Sequence, residues 1–254
     1  MVIDIEYRLT PWDEKSIGMK TAEIIIRHIN DHDSFIERYN SIESELISLG
    51  VEFIYTRIES DDIKLRNTIQ NCGFYYAETS IEVVNNNVRK FQKNRLPKIS
   101  YDIVSDINDY DIIKKIASES FNYGRFHEDG NVPIFNAQKR YFNWIDDLVE
   151  QKAEIYAAKV GGSIVGFNIQ KTNYSESSTV LVLAGCNAGA EIFALSLWNE
   201  IIFQNKSNNI KKINALISAS NVGVFNLYIN FGFKIRKTFF GFHKKLIKTK
   251  LKLN

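Results

Sequence analysis

Cysteine, methionine and proline are scarce in these 254 residues, with two, two and three copies. Cys72 and Cys186 lie far apart, outside any Cys-x-x-Cys pattern and away from an activating histidine. That excludes a disulfide framework, a cysteine-based zinc site and a thiol nucleophile, and it fits a reducing cytoplasm. No apolar run reaches 18 residues, so no membrane span is expected. The opening MVIDIEYRLTPWDEK has acidic residues and no apolar h-region, so it does not read as a signal peptide. GxSxG, HExxH, a Walker loop and GxGxxG are all missing, which removes the common hydrolase, zinc-protease and nucleotide fingerprints. His28 and His32 have the i,i+4 spacing of a metal pair but no third ligand, so a solvated face is the better reading and no metal is expected. Acidic residues vanish after Glu200. From Ile201 onward there are eleven Lys and Arg and no Asp or Glu, which leaves −9 on the first 200 residues within a net charge of +2. Such a stretch is either a solvated basic tail, as in KKLIKTKLKLN, or an anion site for a phosphate-bearing small molecule. The nearly neutral total and the lack of a nucleic-acid motif argue against nucleic acid.

What is present is an α/β pattern with a core: 44% hydrophobic and 13% aromatic residues. VIDIEYRL reads as a strand, TPWD as a turn and KTAEIIIRHI as an amphipathic run. Residues 33–49 carry apolar residues at helical spacing, and Gly50 stops them. VEFIYTRI is a strand, SDDIKLRNTIQNCGF a capped helix and YYAETSIEVV a strand. NNNVRKFQKNRLPKI is polar, aperiodic and contains Pro97, so it reads as a linker between residues 1–98 and 99–254. The second part runs β-α-α-β-β-β-α-β-α-β, with a hairpin at Gly161-Gly162. Hairpins together with crossovers require a mixed sheet.

One frame occurs twice. VEFIYTRIESDDIKLRNTIQNCGFYYAETSIEV and INALISASNVGVFNLYINFGFKIRKTFFGF each read strand, polar cap, helix, Gly-Phe, strand. Setting Gly73 on Gly232 places Asp62 on Asn221 and Ile69 on Tyr228. The frame serves folding; side chains present in one copy only are candidates for chemistry. Asn221 opens a helix, and Tyr228 follows two turns later on the same side. A plain N-cap and a core tyrosine explain both residues; a ligand contact and an acid do so too. The turn GCNAGAE (185–191) leads an apolar strand into a long helix. Its small residues allow backbone amides to approach a pyrophosphate, although a tight βα turn needs the same residues.

Taken together, the strand order, GCNAGAE and NVGVFNLYINFGF resemble the GNAT superfamily of acetyl-CoA-dependent N-acyltransferases. The Asn…Tyr…Gly-Phe motif matches at Asn221, Tyr228, Gly232 and Phe233. The pyrophosphate motif Q/R-x-x-G-x-G/A falls on residues 186–191 and departs from the pattern at both ends, Cys186 and Glu191. Within the superfamily, TPWDEKSIGMKTAEI, GRFHEDGNVP with YFNWIDDLV, and LVLAGCNAGAEI look like the dTDP-fucosamine (dTDP-4-amino-4,6-dideoxygalactose) acetyltransferases and relatives. The resemblance implies a mixed, mostly antiparallel sheet flanked by helices, with residues 1–98 a degenerate GNAT-like half and linker and 99–254 the catalytic domain. It implies acetyl-CoA as cosubstrate: backbone of Val182, Leu183 and Ala184 along pantetheine, amides of Cys186, Asn187, Ala188, Gly189 and Ala190 on the pyrophosphate, Asn221 and Val224 beside the pantetheine arm, and Tyr228 as the acid that protonates the leaving thiolate. The acceptor would be the amine of a dTDP- or UDP-linked amino sugar, with Arg125, His127, Glu128 and Asp129 in the loop that covers it. A homodimer is left open. Two alternatives stay open beside this reading: a GNAT enzyme for another small amine or a protein N-terminus, and a non-catalytic fold that binds acyl-CoA.

Overall fold

The computed structural model describes residues 4–28 and 32–246. The side chains of His28 and His32 and the end of the basic tail, 247–254, lie outside what is described. In chain order the elements are β1 (Asp4–Leu9), α1 (Pro11–Ile17), β2 (Thr21–His28), α2 (His32–Ser48), β3 (Phe53–Glu59), α3 (Ile63–Asn71) and β4 (Tyr75–Asn85). After a stretch without helix or strand at 91–99 come β5 (Ser100–Ile103), α4 (Ile107–Ser120), α5 (Ile134–Glu150), β6 (Glu154–Val160), β7 (Ser163–Asn173) and β8 (Ser178–Cys186). Then follow α6 (Ala194–Ser207), β9 (Lys212–Ser218), α7 (Val222–Asn230) and β10 (Lys234–Lys245).

Two expectations change. TPWD is no turn: Pro11 takes the first position of α1, where its missing N–H costs nothing. The amphipathic run KTAEIIIRHI is β2, whose β-branched Ile24–Ile26 suit a strand lying between two others. Elsewhere local chemistry does what its residues allow. Phe35, Tyr39, Ile42 and Leu46 of α2 are all at most 2% exposed. Each contributes roughly 1.5–3 kcal/mol by burial, enough to seat the helix on the sheet. Asp62 Oδ1 accepts the Leu65 amide at 2.9 Å and Asn221 Oδ1 the Val224 amide at 3.3 Å, so both copies of the repeated frame are capped alike. Gly161 and Gly162 (φ +57° and +85°) make the two-residue hairpin turn, which needs positive φ at both positions.

Among the described residues ten strands form one sheet, ordered β1-β2-β3-β10-β4-β9-β8-β7-β6-β5. Only β2/β3 and β8/β9 are parallel. In the middle the two halves interlock. β10 lies between β3 and β4, while β4 lies between β10 and β9. The second strand of each repeated frame therefore pairs with the first strand of the other. A small apolar cluster of Ile17, Phe53, Tyr55, Phe126, Val132 and Ala137 packs across the same junction.

Candidate active site

β8 and β9 pair only from Ser178↔Lys212 to Leu181↔Ala215. Beyond that the strands part. The cause is local: pairing with β7 jumps from Gln170↔Leu181 to Ile169↔Leu183, which leaves Val182 as a β-bulge that bends the strand away. The β9-facing edge of Val182–Ala184 is left without a strand partner. Close approach of β7 and β8 depends on Gly166, where a Cβ would lie 2.9 Å from the Gly185 carbonyl oxygen. The gap opens into a cleft of about 890 Å³.

Val182, Leu183, Ala184, Cys186, Ala188, Asn221, Val224 and Tyr228 line this cleft. Asn187, Gly189 and Ala190 belong to the adjoining turn but not to the lining. Three amides of that turn are engaged within the chain. Asn187 N–H donates to Val165 O, Ala190 N–H to Asn187 O, and Gly189 N–H to the exposed Glu191 carboxylate at 3.0 Å. Glu191 thus caps the turn with its own carboxylate, and its backbone hydrogen bonds hold that carboxyl below the usual range. Burial, reinforced by Glu191, pushes the Cys186 thiol up to about 11, so it stays protonated. Tyr228 is 4% exposed and set edge-on between Trp198 and Phe233, with ring centroids 5.4 and 4.8 Å away. Burial drives its phenol well above the ordinary value, and the Trp198 indole N–H only partly offsets this.

The loop after α4 separates its four candidates. Gly124 (φ +113°) starts it, tight against α5: a Cβ there would lie 2.9 Å from the Tyr141 hydroxyl. Arg125 and His127 line the cleft; Glu128 and Asp129 do not. His127 packs on Tyr141 at 5.1 Å, its Nε2 has no partner, and burial lowers its pKa, so the ring is neutral at pH 7. Glu128 is a tether: it accepts from the Gly124 amide and from the hydroxyls of Ser218 and Ser220, tying the loop to the start of α7. Asp129 is turned inward and accepts from His243 Nδ1 at 2.7 Å, Tyr75 Oη at 2.8 Å and the Asn131 amide. Burial would raise its pKa, but these donors hold it at about 2. Among the described residues no group of three His, Cys, Asp or Glu is arranged to hold a metal, and no helix is long and apolar enough to cross a membrane.

Comparison of the whole chain with solved structures fixes the architecture. A conserved protein of unknown function from Staphylococcus epidermidis superposes with a TM-score of 0.64 at 14% identity, over 93% of this chain and 88% of its own. A GCN5-related N-acetyltransferase from Sphaerobacter thermophilus gives 0.62 at 12% identity, over 95% and 76%. A tandem GNAT protein from the clavulanic acid biosynthesis pathway gives 0.56 at 10% identity, over 90% and 76%. The fold is the GNAT fold. No family model matches the sequence, and neither does any curated protein.

Within this GNAT fold the cleft has a second wall that sequence reasoning did not find. Arg8, Trp12, Tyr55, Arg57, Glu78 and Ser80, all from the first 98 residues, line it together with Arg140 and Trp144 of α5. Beneath them Asp13 is fully buried. It accepts from the Tyr55 hydroxyl at 2.5 Å and from Arg140 Nε, with Arg125 at 3.6 Å. These residues are scattered from 8 to 144, and no spacing rule joins them. The one signal was contextual: Trp12-Asp13 and the YFNW segment following Arg140 both sit in the stretches that carry the family resemblance.

Proposed function

We propose that this chain is an acetyl-CoA-dependent N-acetyltransferase that acts on the amine of a nucleotide-linked amino-dideoxysugar, a cytoplasmic step in surface-polysaccharide biosynthesis. The observation that carries the acyl-transfer reading is the parting of β8 from β9 over a cleft lined by Asn221 and Tyr228. The motifs shared with dTDP-fucosamine acetyltransferases support the sugar acceptor. In this reading residues 99–254 are the catalytic GNAT domain and 1–98 its degenerate partner. The repeated frame and the likeness to a tandem GNAT protein support that division.

The residues fit acetyl-CoA. The unpaired edge of Val182–Ala184 offers pantetheine a strand-like partner, and its amides polarise the thioester carbonyl as charge builds on the oxygen. Asn221 and Val224 border the pantetheine arm. Of the amides at 186–190, those of Asn187 and Ala190 are held by backbone carbonyls; that of Ala188 is left for the pyrophosphate, joined by the Gly189 amide once the exposed Glu191 side chain swings out. The acceptor nitrogen, neutral after losing a proton, attacks the carbonyl carbon. The C–N bond forms, the C–S bond breaks, and the sulfur leaves as a thiolate. Tyr228 gives its proton to the sulfur and is restored by the proton that the new amide nitrogen sheds. His127, with a neutral ring and a free Nε2, is the loop residue suited to carry the first proton of the ammonium to water.

Calorimetry with acetyl-CoA, followed by a thiol-release assay over dTDP- and UDP-amino sugars and simple amines, tests this reading. Binding of acetyl-CoA with turnover of an amino sugar nucleotide is expected. Preference for a polyamine over every sugar nucleotide rejects the acceptor, and absence of acetyl-CoA binding rejects the enzyme.

A further inference from the structure

We propose that the N-terminal half completes the acceptor subsite, and that this subsite takes an amine carrying an anionic group on the same small molecule, with the ammonium at Glu78 and the anion at Arg125 and Arg140 of the second half. The proposal rests on the acyl-transfer reading of the same cleft.

The first pole is built on β4, the strand inserted between β9 and β10. Its pairing with β10 jumps from Gly241↔Glu78 to Phe242↔Tyr76, so Ala77 is bulged out just before Glu78. Glu78 and Ser80 share one face of the strand, 2% and 1% exposed, and both line the cleft. Room for the Glu78 side chain comes from Gly241 opposite, where a Cβ would sit 2.8 Å from Glu78 Cγ. Arg57 pairs with Glu78 Oε1 at 2.5 Å. A buried carboxylate needs more than one partner to offset its desolvation. Instead Ser80 Oγ and Arg57 Nε in this cluster are buried without any hydrogen-bond partner. A carboxylate and a hydroxyl, both acceptors, at the wall of an amine-accepting cleft suit a donor-only ammonium group.

The second pole is cationic. Asp13 is the single carboxylate that Arg125 and Arg140 share at close range, and the Tyr55 hydroxyl takes up its other oxygen. At 3.6 Å, Arg125 is outside hydrogen-bond reach of it. Arg140 is 8% exposed, lines the cleft, and has a buried NH1 with no partner. Arg125 is held flat over Tyr55 at 4.0 Å and over Phe126 at 4.9 Å. Asp147, two turns further along α5, is a second acidic group within reach of the Arg140 charge, and burial raises its pKa. A fixed pair of guanidinium forks with unmet N–H groups matches a carboxylate or a phosphate. The carboxylate of an amino acid, the phosphate of an aminoalkyl phosphate and the diphosphate of a sugar nucleotide share this chemistry.

The test uses matched acceptors with the full chain and saturating acetyl-CoA: γ-aminobutyrate against butylamine, 2-aminoethyl phosphate against ethanolamine, and a thymidine-diphosphate 4-amino-4,6-dideoxyhexose against the free amino sugar. The anionic member of at least one pair is expected to lead in kcat/KM by about tenfold or more, the worth of roughly 1.4 kcal/mol. Which pair shows the largest ratio identifies the source of the anion. In Arg125→Gln and Arg140→Lys that ratio falls toward one. In Glu78→Gln the KM for amines rises while the acetyl-CoA Kd holds. Should Arg140→Lys fail to fold, Arg125→Gln decides, since it breaks no hydrogen bond to Asp13. Equal turnover of anionic and neutral members overturns the proposal and leaves acyl transfer standing. Acetyl-CoA binding without turnover of any amine removes the acyl-transfer reading, and the proposal with it.

Discussion

Replacing Tyr228 with phenylalanine isolates one atom. The ring lies between Trp198 and Phe233 and is 4% exposed, and phenylalanine keeps that edge-to-face packing. Stability should therefore shift by no more than about 1 kcal/mol, the usual net worth of one hydroxyl. Catalysis should not escape so lightly. A positioned general acid supplies roughly 10²–10⁴ in rate, or about 2.7–5.4 kcal/mol at 1.36 kcal/mol per decade. In a thiol-release assay at saturating acetyl-CoA, kcat should fall by that factor, while calorimetry returns an unchanged Kd for acetyl-CoA. Wild-type pH dependence gives a second check. Burial raises the Tyr228 phenol, so the protonated acid persists and no alkaline fall in kcat should appear near pH 10. On the acid side, His127 is lowered from 6.5, so the proton-accepting form persists to below that pH. A phenylalanine variant within threefold of wild-type kcat, or an alkaline limb near the ordinary tyrosine value, would refute the assignment of Tyr228 as the acid.

Three further outcomes follow from the structure. Glu191→Gln removes a carboxylate from the turn meant for a pyrophosphate, so acetyl-CoA should bind more tightly; calorimetry showing weaker or equal binding would count against a pyrophosphate at 186–190. Asp129 has its folded pKa depressed to about 2 from 3.8, so its stabilisation is full above pH 4 and is lost as pH falls toward 2. Acid titration followed by circular dichroism should show Asp129→Asn less stable than wild type near pH 6, with the difference shrinking across that window; a constant gap would mean that the His243 and Tyr75 contacts do not depend on the ionised carboxylate. A fragment of residues 99–254 takes β10 away from both its neighbours, β3 and β4, and leaves β9 with an open edge. It should be unfolded or aggregated when expressed alone, and a soluble fragment that binds acetyl-CoA would show that the shared sheet is dispensable.

Local elements were legible because local chemistry decides them. Caps at Asp62 and Asn221, the Gly161-Gly162 turn and the buried face of α2 each follow from a few neighbouring residues. TPWD reads as a turn because the buried face of α1 holds Asp13 and Ser16, which mask a helical apolar period. β2 was ambiguous because Thr21–His28 carries isoleucines on both faces. Strand exchange was invisible for another reason: pairing order is a property of the whole chain, and the repeated frame would look the same if each copy paired with itself.

The same logic explains why one wall of the cleft could be read and the other could not. One wall is nearly consecutive: Val182–Ala188 and Asn221–Tyr228 are two short motifs that keep their spacing because a strand and a helix hold them. The other wall, the proposed acceptor side, is assembled from positions 8 to 144. Only when β4 enters between β9 and β10 do Glu78 and Ser80 come to face the cleft that Tyr228 lines. Only against a buried Asp13 do Arg125 and Arg140 become a pair. The first copy of the frame has Asp62 and Ile69 where its twin has Asn221 and Tyr228. What this half retains are buried charges, and each costs stability unless something pairs it. A vestigial half free to drift would be expected to lose such charges first. That Arg57 and Glu78 line the cleft, with Arg57 Nε and Ser80 Oγ unmet and Asp13 buried beneath, is therefore the argument that this half takes part in binding.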